Sequence, residues 1–342
     1  MGCWKGISLN NSFWGKPSLR PLFSSTTILF FHTRYSPSLR FLLMEQDENI
    51  AAMAMVKGKI CITLHVNFLF RLTLEPVMST LSLSQVKQIR ALHSKKYRDK
   101  HNAFLVEGRK SIEEFVKEGW RCLQYVVQDS SQPIDGFPGE VHFTDHKTMK
   151  SISALSSASD HLAVFQRKQS GMNASSRIWV ALDQLQDPGN LGTIIRTMDW
   201  FGCHHLVLSE GCVDVFNPKV VQASMGSLSR VSVRQQTRKE WKDLFDGRHI
   251  FFADLEGLSF TSPGLTNQLS SPLGLRPLVL VMGNEGNGIH PSTRASVDYT
   301  SITIPRGASQ KSKAESLNAA MATGIMLAHF SSMRDSGKAD SH

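Results

Sequence analysis

The chain has 342 residues, 41% of them hydrophobic, with a formal charge of +9 and a pI near 9.4. That length holds one large or two ordinary domains, and the basic balance favours a polyanionic partner, nucleic acid first, although a basic targeting segment accounts for part of the excess. The five cysteines (Cys3, Cys61, Cys122, Cys203, Cys212) include no CxxC pair, so a disulfide framework and a zinc site are disfavoured and no metal is expected. Adjacent His204 and His205 alternate faces on entering a strand and are poor candidates for a shared metal.

Residues 1–44 lack Asp and Glu and carry Lys5, Lys16, Arg20, Arg34 and Arg40 among Ser, Thr and Phe. This composition matches an organellar transit peptide, and its Ser-rich start favours a chloroplast over a mitochondrion. Residues 45–80 are apolar in patches interrupted by Lys57, Lys59, His65, Asn67 and Arg71. A transmembrane helix needs roughly 20 nearly uninterrupted apolar residues. No span is expected, and the extension has no functional reading.

A folded domain is expected over residues 81–168. Ser84–Leu92 suits a helix, Ala103–Val106 a buried strand and Arg109–Gly119 a helix with Ile112, Phe115 and Val116 inward. Leu123–Val127, Val141–Phe143 and His161–Phe165 read as strands, with a helix around Met149, Ile152 and Leu155. Lys95, Lys96, Arg98 and Lys100 flank Tyr97, and Arg109 extends this basic edge. Such a cluster can hold an RNA backbone and stack a base, or it is a solvated face. Gln169–Ser176 is a polar linker.

In residues 177–331 strands and helices alternate, which implies a mostly parallel sheet; 332–342 read as a disordered tail. The expected strands are Ile178–Leu182, His205–Leu208, Arg230–Val233, His249–Ala253, Leu278–Met282 and Thr300–Ile304. Helices are expected at Leu191–Phe201, Pro218–Ser224, Lys239–Phe245, Pro291–Ala295 and Leu317–Phe330.

Three constellations stand at strand ends of this domain. In ALDQLQDPGNLGTIIRTMDWF (Ala181–Phe201) a strand, a turn cluster and a helix follow one another, with Asn190 as expected N-cap. Arg196 lies off the apolar stripe of that helix, either as a solvated cation or as a group held near a ligand. In Val281-Met-Gly-Asn-Glu-Gly-Asn-Gly288 the glycines let backbone approach a ligand closely, and Glu285 can pair with a cation such as Arg196. Neither a Walker lysine nor GxGxxG spacing is present. In Ile304-Pro-Arg-Gly307 … Glu315-Ser-Leu-Asn318, Ser316 or Asn318 can cap the last helix.

Together NLGTIIR (Asn190–Arg196), MGNEGNG (Met282–Gly288) and IP…ESLN (Ile304–Asn318) resemble the three ordered motifs of the SpoU (TrmH-type) RNA 2′-O-ribose methyltransferases. FLVEGRKSIEEF carries a weaker resemblance of Ser84–Lys168 to the small ribosomal-protein-like substrate-binding domain of that family. The resemblance implies an α/β fold of the SPOUT superfamily, a mostly parallel sheet with a C-terminal trefoil knot, preceded by a small α/β RNA-binding domain. It implies a homodimer with sites at the subunit interface, and S-adenosyl-L-methionine as cofactor, held at Met282, Gly283, Gly288, Ile304, Ser316 and Leu317. It assigns the key role to Arg196, with Asn190 and Glu285 orienting it and Ser316 and Asn318 shaping the pocket. The resemblance describes Arg196 as the base; a guanidinium holds its proton far above neutral pH and is a poor free base, so a second role, gripping the adjacent phosphate and polarising the ribose hydroxyl, stays open. Methylation of organellar RNA follows, ribosomal RNA before transfer RNA. The loop Arg306–Ala314 is about four residues longer than in the family, a bulge that costs little in closure entropy or one that distorts the pocket and leaves an inactive RNA-binding or assembly factor.

Overall fold

The computed structural model describes residues 54–56, 59–61, 78–168, 177–265, 276–307 and 314–335. The expected transit peptide, the linker 169–176 and the centre of the long loop, 308–313, lie outside these. In a first unit, β1 (Ala54–Val56) pairs antiparallel with β2 (Lys59–Cys61). A second compact unit begins at Pro76 and contains both expected domains.

The small domain runs β3 (Met78–Thr80), α1 (Leu83–Ala91), α2 (Lys95–His101), β4 (Ala103–Glu107), α3 (Arg109–Lys117), β5 (Cys122–Gln128), β6 (Val141–Thr144), α4 (His146–Ile152) and β7 (His161–Gln166). Its mixed sheet has the order β3-β6-β5-β7-β4. Met78 sits opposite Val141, so the sheet begins inside the segment read as a featureless extension. Three residues joining an edge leave no periodic signal in sequence. Ser82 and Gln85 form a capping box that fixes the start of α1. One sheet face packs Leu105, Val126, Leu162 and Val164 on Ile89, Met149 and Ile152. The other presents Phe104, Tyr125 and Phe165 to Phe115 and Trp120, in a core continuous with that of the second domain. Burial pushes the Cys122 thiol up to about 12 and raises that of Cys212, as inert thiols require.

The second domain runs β8 (Ile178–Leu182), α5 (Pro188–Trp200), β9 (His205–Leu208), α6 (Pro218–Ala223), β10 (Ser232–Gln235), α7 (Trp241–Leu244), β11 (His249–Ser259), β12 (Leu278–Met282), α8 (Pro291–Arg294), β13 (Thr300–Thr303) and α9 (Ala319–Asp335). Six parallel strands lie in the order β10-β9-β8-β12-β11-β13. β8 and β12 are buried throughout, as central strands covered on both faces must be. The chain steps outward from β8 to β9 and β10, crosses to β11, then returns β12 into the gap beside β8. The direction of stepping therefore reverses between β8 and β12, and open α/β sheets bind ligands at the carboxyl ends beside such a reversal.

Local chemistry moves three expected boundaries. α5 starts at Pro188 and is capped by Asp187, whose Oδ1 accepts from the Asn190 N–H at 2.7 Å. Asn190 is thus not the N-cap, because Asp-Pro forms the stronger start and Pro lacks the N–H that would go unpaired. β10 begins at Ser232, since Ser227–Ser229 form a 3-10 turn. α9 begins at Ala319, with Asn318 accepting from the N–H groups of Ala320 (2.9 Å) and Met321 (3.3 Å). Among the described residues no helix is long and apolar enough to cross a membrane, and no three His, Cys, Asp or Glu cluster as metal ligands.

Candidate active site

The site is built on the two loops that leave β8 and β12. Asp183, the first residue after β8, is fully buried. Its carboxylate accepts from Ser209 Oγ (2.9 Å), Arg238 Nε (2.9 Å), the His290 N–H (2.9 Å) and Thr293 Oγ1 (2.7 Å). A buried charge survives only when it is paired and fully hydrogen-bonded. Asp183 therefore fastens β8 to the chain beyond β9 and to the segment after the Gly-rich loop. Gln184 follows in a left-handed conformation (φ 58°), and its carbonyl accepts from Asn284 Nδ2 at 2.9 Å, tying the two loops together.

The Gly-rich loop folds back on its own strand. Asn284 and Gly288 exchange backbone hydrogen bonds of 2.9 Å, while Asn284 Oδ1 accepts from the Gly286 and Asn287 N–H groups. A Cβ on Gly283 would lie 2.3 Å from the Gly288 carbonyl carbon and 2.4 Å from the Ile289 nitrogen, so only glycine fits. Met282, just inside, is buried, and its carbonyl accepts from the Asp183 N–H at 2.8 Å.

The three motifs meet through one chain of side-chain hydrogen bonds. Asn318 Nδ2 donates to Asn190 Oδ1 at 2.8 Å, and Asn190 Nδ2 donates to Glu285 Oε1 at 3.1 Å. All three residues are exposed or half-exposed, so this relay borders open space rather than filling core. Ser316 and Leu317 precede Asn318 and are exposed; Ile304 packs half-buried against the core at the end of β13. Arg306 Nη2 donates to the Glu315 carbonyl at 2.7 Å and draws together the two ends of the long loop.

Arg196 stands apart from the relay. It is exposed on α5, six residues beyond Asn190, about 9 Å along the axis. Among the described residues it makes no hydrogen bond or ion pair. The expected pairing of Arg196 with Glu285 is not formed; Glu285 accepts from Asn190 instead. The relay therefore orients the loop and the last helix, and leaves the guanidinium open to a ligand.

The basic cluster of the small domain is divided by the fold. Arg98 is only 2% exposed. It donates to Asp214 (3.0 and 2.7 Å) and to the carbonyls of Leu92 (2.9 Å) and His93 (2.7 Å). Its assignment to RNA is overturned, because every face of that guanidinium is spent inside the protein. Lys95 pairs with Asp99 at 2.6 Å, and Arg109 pairs with Glu113 at 3.0 Å and donates to two loop carbonyls. Lys96, Lys100 and Tyr97 remain exposed.

Asp183, Asn284 and Ser209 belong to the site's frame and were not singled out by sequence reasoning. The one signal was an acidic residue ending an apolar strand, where a carboxylate needs buried donors.

Residues 177–328 match the SpoU rRNA Methylase family, and residues 84–163 an MRM3-like substrate binding domain. The chain is 29% identical over 252 residues to the Bacillus subtilis 23S rRNA (guanosine(2553)-2′-O)-methyltransferase RlmP, covering 72% of this chain and 95% of that one. It is 32% identical over 209 residues to human mitochondrial rRNA methyltransferase 3, covering 55% of this chain and 48% of that one. The structure of a putative RNA methyltransferase of the TrmH family from Porphyromonas gingivalis superposes with a TM-score of 0.62 at 37% identity, over 74% of this chain and 98% of that one. An AdoMet-bound rRNA methyltransferase from Sinorhizobium meliloti gives 0.62 at 29% identity, over 75% and 97%. These matches, which span both domains and reach 37% identity over 98% of a solved relative, settle the ancestry: the chain belongs to the SpoU (TrmH-type) family of RNA methyltransferases.

Proposed function

We propose that the chain transfers the methyl group of S-adenosyl-L-methionine to a ribose 2′-hydroxyl of ribosomal RNA in an organelle. The observation that carries this reading is the Asn318–Asn190–Glu285 relay, which assembles the three motifs at the reversal point of the sheet and leaves Arg196, further along the same helix, without a partner among the described residues. The relatives named for ribosomal RNA methylation, and the AdoMet-bound neighbour, support the reaction, the substrate and the cofactor. Transfer RNA is the alternative substrate.

The residues present fit the cofactor. Gly283 brings the loop backbone against Ile289 with no side chain between, which leaves main-chain groups as ligands, and exposed Leu317 supplies apolar surface next to Ser316. Met282, Gly283, Gly288, Ile304, Ser316 and Leu317 would hold it. When bound, the sulfonium supplies an electrophilic methyl and needs no metal. The protein's task is then alignment of hydroxyl oxygen with that methyl. Arg196 would donate to the neighbouring phosphate and to the hydroxyl oxygen, favouring the negative charge that develops as the hydroxyl proton passes to solvent water. Glu285 and Asn190 hold the loop edge, and Asn318 fixes the start of α9. Lys96 and Lys100, with Tyr97, are the exposed groups offered to the RNA backbone and a base.

A homodimer is part of the proposal. Trp200 on α5 is 84% exposed and Met321 on α9 62% exposed, with Ile325 one turn further on. Gly324 of α9 faces Thr197 of α5, so these apolar ridges lie on neighbouring helices, and a second copy of the chain would cover them. The trefoil knot implied by the family is supported by the late insertion of β12 between β8 and β11. The hydrogen bond that joins Arg306 to Glu315 supports an enzyme over an inactive assembly factor. The acid-poor, Ser-rich start favours a plastid over a mitochondrion; a fusion of residues 1–44 to a fluorescent protein reads the compartment. Mapping alkali-resistant ribose methylation in ribosomal RNA with the parent and Arg196→Ala tests the activity, which the variant is expected to lose.

A further inference from the structure

Arginine–carboxylate pairs cross the seam between the two sheets at two points: buried Arg98 with Asp214, and a forked cation, Arg230, at the end of the helix that carries Arg196. Arg230 leaves the 3-10 turn after α6 and donates to both oxygens of Asp199, through Nε at 3.0 and 3.1 Å and Nη2 at 2.7 Å. Its Nη1 donates to Glu114 Oε2. Asp199 lies in the last turn of α5, three residues beyond Arg196, and Glu114 lies on α3 of the small domain. Around this fork the small domain packs directly on the second. The position of a Cβ on Gly226 (φ 90°) lies 3.1 Å from the Glu114 side chain, and buried Trp120 donates its indole N–H to the Ser229 carbonyl at 2.9 Å. Three elements thus converge on one guanidinium that touches neither the Gly-rich loop nor the relay.

We infer that Arg230 is a positioning residue, a clamp that fixes the helix carrying Arg196 to the RNA-facing small domain, so that RNA held by that domain meets Arg196 in one register. The inference deepens the proposed methyl transfer and rests on it. A bidentate arginine–carboxylate fork suits this role, because it fixes direction as well as distance. Misplacing the reacting groups by about 1 Å costs rate even when every catalytic group is present.

The test uses the full chain, S-adenosyl-L-methionine with a labelled methyl, and transcribed large-subunit ribosomal RNA. Arg230→Ala is expected to lower kcat/KM for RNA by about tenfold, while cofactor affinity by calorimetry stays within about twofold of the parent. Glu114→Gln cuts only the arm to the small domain and should reproduce most of that loss; Arg230→Lys keeps the charge without the fork and should rescue it in part. Hydrogen exchange of Glu114→Gln should rise in α3 and in the last turn of α5 together. A kcat/KM for RNA within about twofold of the parent in both Arg230→Ala and Glu114→Gln, with only a lower melting temperature, would overturn the clamp. If the parent transfers no methyl, the proposed function fails by itself. Exchange then decides the clamp, and a rise confined to α3 overturns it.

Discussion

Two carboxylates leave the carboxyl ends of neighbouring strands, and they are treated in opposite ways. Asp183 after β8 is fully buried and accepts four hydrogen bonds from four separate groups. Glu285 after β12 is exposed and accepts one, from Asn190. The difference separates the frame from the site. A buried carboxylate with all its donors supplied is committed to architecture, whereas an exposed one at the rim of a cleft keeps lone pairs free for a ligand or a neighbour. The same contrast recurs among the cations, with Arg98 enclosed and Arg196 open.

The comparison breaks most severely at its buried half. Asp183→Ala leaves Arg238 Nε, the His290 N–H and the Thr293 hydroxyl without their shared acceptor, and is expected to cost about 3–5 kcal/mol of stability, read by chemical denaturation. Gly283→Ala should abolish cofactor binding, because its methyl would sit inside the Gly288–Ile289 peptide; calorimetry on the folded variant checks it. Arg196→Ala should leave the fold and the melting temperature unchanged while methyl transfer falls by about 10²–10³-fold, the scale for a lost donor to developing charge. Glu285→Gln should lower kcat/KM only a few-fold, roughly what one exposed hydrogen bond contributes, with no change in stability.

A smaller effect sharpens the account in acid. Burial opposes ionisation at Asp199 and Glu114, but hydrogen bonds from Arg230 outweigh it and hold both carboxyls below their usual range. A carboxyl depressed in the folded state contributes stability above its unfolded pKa of about 4, and that contribution is lost as pH falls through the folded value. The parent should therefore lose stability below about pH 4 more steeply than Arg230→Ala, as acid titrations followed by circular dichroism would read.

Much of the fold was legible because its signals are local. β8 and β12 announce themselves as apolar runs that end in polar turns, and α3 by its inward Ile112 and Phe115. The three motifs were legible as chemistry and their convergence followed from family resemblance; the hydrogen bonds between Asn190, Glu285 and Asn318 span about a hundred residues and have no sequence signature. Arg98 was misassigned because a run of four cations looks uniformly solvated, and only the arrival of Asp214 from the second domain distinguishes it. Met78–Thr80 escaped notice because an edge strand is defined by its partner.

The central claim is methyl transfer to ribose. Its most direct test incubates the protein with labelled S-adenosyl-L-methionine and ribosomal RNA lacking modification, followed by alkaline hydrolysis, which spares only linkages next to a methylated 2′-oxygen. Label recovered in an alkali-resistant dinucleotide, present with the parent and absent with Arg196→Ala, is the expected result. Label on a base, or none transferred by a folded protein that binds the cofactor, would contradict it.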